Sequence, residues 1–260
     1  MKIRQIIDAL EDFAPLALQD GYDNAGLQIG LPQDVDATGV LLCLDVTEAV
    51  VDEAINRGCN MVVSHHPLLF HPLKSIAGRD YVERVVIKAI KHDITLYAAH
   101  TNLDNAPGGV NDKMAEKLQL GLLEWLEPKV GQDGGSGLIG ELPTEMTSQA
   151  FIRLVKETFK VESVRYNEWT GRQVRRVAVC GGAGAFLVPK AIEKGADAFI
   201  TGEIGYHRFF GHEDELLMME IGHYESEQYT LELFREILNK VAPALPVYDT
   251  QLKTNPIREM

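Results

Sequence analysis

The sequence of 260 residues predicts an α/β protein built from two similar lobes. Short apolar runs alternate with segments of helical periodicity, which indicates β-α-β units. The stretch AINRGCNMVVS at 54–64 aligns with AIEKGADAFIT at 191–201, and each is preceded by another strand-like run. This similarity indicates an internal duplication. We therefore expect one lobe over 1–125 and a second over 126–260, intertwined as one compact unit.

The first half contains one complete β-α-β unit followed by another helix and strand. Its predicted elements are a helix over 2–13, a loop over 21–30, a strand over 40–44, a helix ending at Arg57, a strand over 61–64, a helix over 82–90 and a strand over 94–99. Pro15 ends the first helix, and Gly58 suits the C-terminal cap of the second. The Gly, Asn and Asp residues of GYDNAGLQIG favour a loop at 21–30.

The second half repeats this plan. Its predicted elements are a helix starting within 105–112, a loop over 131–140, a helix from Ser148, a strand over 176–180, a helix through Ile192, strands over 198–201 and 216–221, a helix over 233–238 and a closing strand over 245–249. The glycine-rich loop GQDGGSGLIG lacks a Lys-Ser/Thr pair, so we interpret it as a hinge or hairpin between the lobes. The incomplete fingerprint GGAG at 181–184 favours a close-packed turn over a nucleotide site.

Composition restricts the partners and the compartment. The 25 Lys and Arg residues against 38 Asp and Glu residues give a net charge of −13, which argues against binding a nucleic-acid backbone. A small phosphorylated ligand held through a metal is still compatible with this charge. Cys43, Cys59 and Cys180 have no CxxC spacing, which fits a reducing compartment. The acidic N-terminal segment and the lack of an apolar run of about 20 residues lead us to expect a soluble, cytoplasmic protein without membrane contact.

The stretch SHHPLLF at 64–70 carries the clearest chemical signal. His65 and His66 follow a buried strand, and Pro67 prevents a helix from continuing. Neighbouring residues on a strand point to opposite faces, so both rings serve one site only if the backbone turns after Ser64. Imidazole is the commonest protein ligand for transition metals, whereas a single histidine is more often an ordinary hydrogen-bonded residue.

The duplication extends to the histidines that follow the next strands. His100-x-x-x-Asp104 follows one strand, and His223-x-x-x-Glu227 follows its counterpart. We expect His223 just before the final helix and Glu227 in its first turn, where an acid also favours the helix dipole without any metal. Equivalent strand ends in a duplicated pair can face each other across a cleft. Three imidazoles and two carboxylates suit two divalent ions, so the fold prediction includes a dinuclear metal site in that cleft.

The ordered motifs YDNAGLQIG, SHHPLLF, HTNLD, CGGAG, ADAFITGEIGYH and GHYESE resemble the NGG-one-interacting-factor-three-like family, whose bacterial members are called GTP cyclohydrolase 1 type 2 homologues. The resemblance implies a two-lobed fold, a dinuclear metal centre and a ring-shaped homohexamer. It also implies that the 120–150 region is too short for the domain that some members carry there.

Carried over by motif, the implied metal ligands are His65, His66, Asp104, His223 and Glu227. The resemblance also implies that His100 and His207 lie near the metals as proton carriers or supporting partners. It places Tyr22, Asp23 and Asn24 beside the same cleft.

These residues support two classes of function. The first is a hydrolase in which two divalent ions activate water towards a small molecule, such as GTP or a phosphoester. The second is a protein that stores or delivers metal, or a ring-shaped scaffold. Mixed nitrogen and oxygen ligands permit zinc, iron, manganese, cobalt or nickel. The ligand residues serve either class, so the sequence leaves both open.

Overall fold

The computed structural model describes residues 1–168 and 173–258, which contain two β-sheets, each in its own compact unit. Unit 1 comprises Met1–Leu103 and Thr230–Arg258, and unit 2 comprises Asp104–Tyr229. The sequence-based boundary at 125 therefore differs from the observed division. The difference arises because the last helix and strand return to the first sheet, whereas residues 104–125 pack with the second.

The helices and strands follow in chain order. The helices are α1 (Ile3–Phe13), α2 (Glu48–Asn56), α3 (Tyr81–Lys91), α4 (Thr101–Asp104), α5 (Val110–Lys117), α6 (Ser148–Phe159), α7 (Val188–Glu193), α8 (His223–Glu227) and α9 (Thr230–Val241). The strands are β1 (Gly26–Ile29), β2 (Val40–Cys43), β3 (Met61–Ser64), β4 (Thr95–Ala98), β5 (Gly121–Pro128), β6 (Gly135–Thr147), β7 (Arg165–Tyr166), β8 (Gln173–Cys180), β9 (Ala198–Thr201), β10 (Leu217–Glu220) and β11 (Val247–Asp249). Short 3-10 helices cover Leu16–Leu18, Gly184–Leu187 and Tyr206–Phe209.

Unit 1 has the strand order β1-β4-β3-β2-β11. The four strands from β4 to β11 are parallel, and β1 pairs antiparallel with β4 at the edge. Strands β2, β3 and β4 are buried along their whole length, which explains their continuous apolar sequences. Helices α2 and α3 cover the cluster around Leu41 and Val62, and α1 packs against α9. Thr47 and Asp80 cap the N-termini of α2 and α3.

Unit 2 has the strand order β5-β6-β8-β9-β10-β7. Strands β8, β9 and β10 are parallel, whereas β6 and β7 pair antiparallel with β8 and β10. One core cluster includes Phe151 and Phe159 of α6, and a second includes Leu187 and Phe199. Thr147 caps α6, and Lys160 ends it in the left-handed conformation.

The predicted repeat is visible in the two strand orders. The parallel trio β4-β3-β2 in unit 1 corresponds to β10-β9-β8 in unit 2, and an antiparallel edge strand, β1 or β7, follows in each case. The opposite edges differ, because β11 extends one sheet in parallel and the β5-β6 hairpin extends the other antiparallel. The duplicated part is therefore the three-strand core.

Three local expectations are corrected. The segment 21–30 is not entirely a loop, because Gly26–Ile29 pair with β4 through a bulge. The glycine-rich stretch 131–140 lies at the β5-β6 hairpin inside unit 2 and is not a hinge between lobes. His223 begins a separate helix, α8, with Glu227 at its end. Within the described ranges, no helix has the length and apolarity needed to cross a membrane.

Candidate metal centre

His65 and His66 lie directly after β3, where the backbone turns as the sequence required. The Ser64 hydroxyl donates to the His66 carbonyl oxygen at 2.9 Å and holds this turn. The two ring centroids are consequently only 4.9 Å apart. The His100 ring lies 5.3 Å from that of His65 and 5.4 Å from that of His66. One ring nitrogen of each residue lies within 4.8 Å of the others, and we refer to these three side chains as the histidine cluster.

Oxygen atoms fix the orientation of every ring in the cluster. The Nδ1 atom of His65 lies 2.9 Å from the Ala99 carbonyl oxygen. The Nδ1 atoms of His66 and His100 lie 2.9 Å from Asp45 and 2.7 Å from Asp23, respectively. Because a carbonyl or ionised carboxylate only accepts, each Nδ1 carries the proton and each Nε2 carries a lone pair. Metal-binding histidines are held in this way.

Asp23 stays ionised although its side chain is fully buried. Burial alone raises the pKa of this carboxyl group, but hydrogen bonds from His100, Thr101 and the Asn24 N–H outweigh burial and lower the pKa to about 2. A permanent negative charge therefore faces His100 Nδ1. This charge fixes the tautomer of His100, with the proton on Nδ1 and the lone pair on Nε2.

Unit 2 carries a second group of ligand-type residues on α8. The Nε2 atom of His223 lies 3.4 Å from the Glu227 carboxylate, because positions i and i+4 share one face of a helix. Glu203 follows β9 and contacts His223 Nδ1 at 2.7 Å. Glu227 is 2% exposed. The Nδ1 of His223 is thus bound in the same manner as those of the histidine cluster.

The CGGAG turn supports these α8 side chains. Gly182 has a φ of +60°, and a Cβ atom there would lie 2.5 Å from Glu227 Oε1 and 3.3 Å from His223 Nε2. The Gly182 N–H donates to Ser226 Oγ, and its carbonyl oxygen accepts from Thr201. The turn is therefore close-packed, as the sequence favoured, and glycine leaves the space that the Glu227 carboxylate fills.

The remaining predicted residues occupy different environments. Asp104 is the last residue of α4, and its carbonyl oxygen accepts a hydrogen bond from the side-chain amide of Asn111. The Oδ1 atom of Asn111 in turn accepts from the Gly181 N–H of the CGGAG turn. His207 is exposed and lies against the rings of Tyr206 and Phe210. Among the described residues of unit 2, it is not in contact with the α8 pair.

Tyr22 and Asn24, which precede and follow Asp23, both lie near the loop after the histidine doublet. Tyr22 is 66% exposed, with its ring 6.3 Å from that of Phe70. The Asn24 amide donates to the Leu69 carbonyl oxygen and fixes the loop after the histidine doublet.

Asp45 and Glu203 have supporting roles that the sequence reasoning did not assign. Asp45 follows the buried strand β2, and Glu203 follows the buried strand β9. Each acid therefore lies at the carboxyl ends of the parallel strands of its sheet, as the histidines do. Carboxyl ends of neighbouring parallel strands meet at one edge, so this position was an available signal. The Asp45 carboxylate also accepts from the Thr254 hydroxyl at 2.9 Å.

These side chains fit divalent transition-metal ions. Neutral imidazole Nε2 atoms and carboxylate oxygens are ligands that zinc, iron, manganese, cobalt and nickel all accept. Gly182 shapes a cradle around Glu227 that an added Cβ would fill. The arrangement can therefore hold a metal ion.

Comparisons with known proteins agree with this fold. A sequence model of the family described as Duf34/NIF3 (NGG1p interacting factor 3) matches residues 1–256. A GTP cyclohydrolase 1 type 2 homolog of Clostridium perfringens is 37% identical over 230 residues, covering 87% of this chain and 87% of the relative. A protein of the same name from Lactococcus lactis is 34% identical over an alignment of 267 residues that covers both chains completely. The crystal structure of a Bacillus cereus protein related to NIF3 has a TM-score of 0.89 at 28% identity, covering 100% of this chain and 99% of that one.

Proposed function

Because the chain belongs to the Duf34/NIF3 family, we propose that it is a metal-dependent hydrolase of a small molecule. The observation that carries this proposal is the orientation of the histidine cluster. The rings of His65, His66 and His100 have their Nδ1 atoms on oxygen acceptors, and one ring nitrogen of each lies within 4.8 Å of the others. This orientation suits a metal ion bound by His65 and His66 better than it suits ordinary hydrogen bonding, and it leaves the His100 ring beside that ion with its Nε2 open.

The proposed ligand set is the one expected from the sequence, and it holds two divalent ions per chain. His65 and His66 contribute imidazole nitrogens, and His223 contributes a third. Asp104 and Glu227 would contribute carboxylate oxygens. The partners of the rings support this assignment, since Asp45 and Glu203 contact the Nδ1 atoms of His66 and His223. The metal is one of zinc, iron, manganese, cobalt or nickel.

His100 is proposed as the proton carrier of the reaction. Bound divalent ions supply a water of lowered pKa and polarise the bond under attack. The ionised Asp23 carboxylate holds His100 Nδ1–H, so the opposite nitrogen takes up a proton from the reacting group and returns it to the leaving group. His207 is the second proposed proton carrier, and a movement of its exposed ring would be needed for this role.

GTP ring opening is the first reaction to test, because relatives are named GTP cyclohydrolase 1 type 2 homologs. Phosphoesters are the second substrate class, since paired metal ions suit phosphoryl transfer. We also propose that the protein works as a homohexamer in the cytoplasm. The family membership supports the ring, and the buried cysteine thiols at 43, 59 and 180 support a reducing compartment.

The decisive experiment measures metal content and turnover together. The protein is purified without added metal, its bound ions are counted by elemental analysis, and it is then loaded separately with each candidate metal. Turnover is assayed with GTP and a panel of phosphoesters. Asp104→Ala removes a proposed ligand, and Asp104→Asn keeps the size of the side chain. Asp133→Ala is the control, because this exposed acid lies in the β5-β6 turn.

We expect the wild type and Asp133→Ala to bind metal and turn over a substrate, and both Asp104 variants to lose bound metal and activity. Turnover that persists unchanged in a metal-free sample refutes the hydrolase mechanism. Stoichiometric metal without turnover favours the alternative function, storage or delivery of metal. A wild type that retains no divalent ion refutes the ligand set itself.

A further inference from the structure

Unit 1 contains a large cavity beside the histidine cluster. Its volume is about 1260 Å³, and it lies along β1, the segment 69–76 and α3. Cavities that bind drug-sized ligands typically measure about 300–1,000 Å³, so this one has room for a complete small molecule. None of its lining residues belongs to the proposed ligand set, and only Asp23, which holds His100, has a part in the proposed chemistry.

The walls are apolar because the polar side chains around them are already bonded to each other. Gln28 accepts from Leu69 N–H through Oε1 and donates to the Asn24 carbonyl oxygen through Nε2. Asn24 donates to the Leu69 carbonyl oxygen. The Asp23 carboxylate is occupied by His100 and Thr101. These bonds tie the loops together and leave aliphatic groups facing the cavity.

Several of these aliphatic side chains are unusually exposed. Leu31 is 88% exposed, Ile90 is 55% exposed and Ile76 is 53% exposed, and all three line the cavity. They come from three different segments of unit 1. Grouped exposed aliphatic side chains in a concave surface indicate a binding site, because covering them is favourable.

The charge of the lining selects against anions. Asp23 and Asp93 line the cavity, and its described lining includes no Lys or Arg residue. A triphosphate needs cationic partners or backbone N–H donors, and this lining offers no Lys or Arg side chain to it. The lining therefore disfavours a polyanion, and its mostly apolar walls suit an uncharged ligand.

The cavity is lined by two residues, Asp23 and Phe70, that contact the His100 ring of the histidine cluster. Asp23 lines the cavity and also contacts His100 Nδ1 at 2.7 Å. The Phe70 ring, which lines it too, lies 6.2 Å from the His100 ring and 6.3 Å from the Tyr22 ring. The exposed faces of Tyr22 and Phe70 favour contact with another ring. A ligand that fills the cavity would thus have one end beside His100.

We propose that this cavity binds an uncharged, apolar ring compound and presents one end of it to His100. The binding of this compound does not rest on the proposed hydrolase function, whose candidate substrates, GTP and phosphoesters, are anions. GTP is not expected to bind in this cavity, because it carries a triphosphate.

The test uses N-phenyl-1-naphthylamine, an uncharged two-ring fluorophore, in a fluorescence titration with and without EDTA. Ile90→Glu and Ile76→Glu place a charge on two separate walls. Val241→Glu is the matched control for Ile90→Glu, because Val241 is also an exposed aliphatic residue in the last turn of a helix, and it lies outside the cavity lining. Circular dichroism verifies folding, and sedimentation velocity reports the oligomeric state of each variant.

We expect saturable one-to-one binding that EDTA and an excess of GTP leave unchanged. Each wall variant weakens the affinity by about tenfold or more, and Val241→Glu binds as the wild type does. Displacement of the fluorophore by GTP, or equal binding by all variants, overturns the inference. Dissociation of a wild-type oligomer by the wall variants also overturns it and assigns the surface to a second copy of the chain. If the metal-loaded wild type turns over no substrate but still binds the fluorophore, only the hydrolase function is refuted.

Discussion

Replacing Gly182 by alanine tests whether glycine is required at this position to leave space for the Glu227 carboxylate. A second glycine, Gly195, provides a control for the backbone strain alone. Gly182 has a φ of +60°, and Gly195 has a similar φ of +69°, with no atom within 4 Å of the place where its Cβ would lie. Alanine in the left-handed region costs about 1–2 kcal/mol at either position. Gly195→Ala is therefore a control that carries the same backbone strain without the contact.

The added Cβ atom at position 182 meets Glu227. Its distance to Oε1 would be 2.5 Å, whereas ordinary contact begins near 3.4 Å, so the carboxylate must move by about 0.9 Å. The end of a glutamate side chain can move at little cost to the fold. The Glu227 carboxylate, which is 2% exposed, would however no longer lie where it is proposed to bind metal. We expect the two variants to unfold with similar free energies, while Gly182→Ala alone loses about 10–100-fold in metal affinity.

Urea unfolding in EDTA, followed by circular dichroism, gives the free energy of unfolding of both variants. Calorimetric titration with Zn²⁺ and with Mn²⁺ gives the metal affinity. Equal metal affinity in Gly182→Ala and Gly195→Ala would refute the claim that glycine is required there to clear the carboxylate. A much larger loss of stability in Gly182→Ala would show that the turn matters for folding instead.

Three further predictions follow from single contacts. Asp45→Asn removes the charged partner of His66 and should lower metal affinity by about 10–100-fold in a chelator competition, whereas Asp36→Asn, at an exposed ion pair with Lys2, should not. Hydrogen bonds from the Arg79 side chain and from two backbone N–H groups lower the pKa of Glu83 from 4.5 to about 2, so this carboxylate stabilises the fold above pH 4.5 and loses that effect as the pH falls towards 2. The difference in melting temperature between the wild type and Glu83→Gln should therefore shrink over that range, and a constant difference would contradict this reasoning. Asn102→Ala should cost about 1–3 kcal/mol in urea unfolding, since buried Asn102 bonds both the Ala14 carbonyl oxygen and the His100 N–H, and a loss below about 0.5 kcal/mol would contradict a supporting role.

The regular elements near the histidines were predictable because local sequence determines them. Continuous apolar runs are typical of parallel strands covered on both faces, and Gly58 marks the end of α2 with its positive φ. Strand β1 was missed because it has only four residues and lies in a stretch whose Gly, Asp and Asn residues favour a loop. Its pairing with β4 stabilises it instead.

The sequence by itself determined the residue types at the strand ends, the repeat of the three-strand core and the family to which the chain belongs. Those features depend on neighbours along the chain, where periodicity and motif order are visible. Tertiary structure alone decided that α9 and β11 complete the first sheet and that Asp45 contacts His66. It also decided which space remains open beside β1 and α3. Such contacts join residues that are distant in sequence, and only packing of the sheet brings them together.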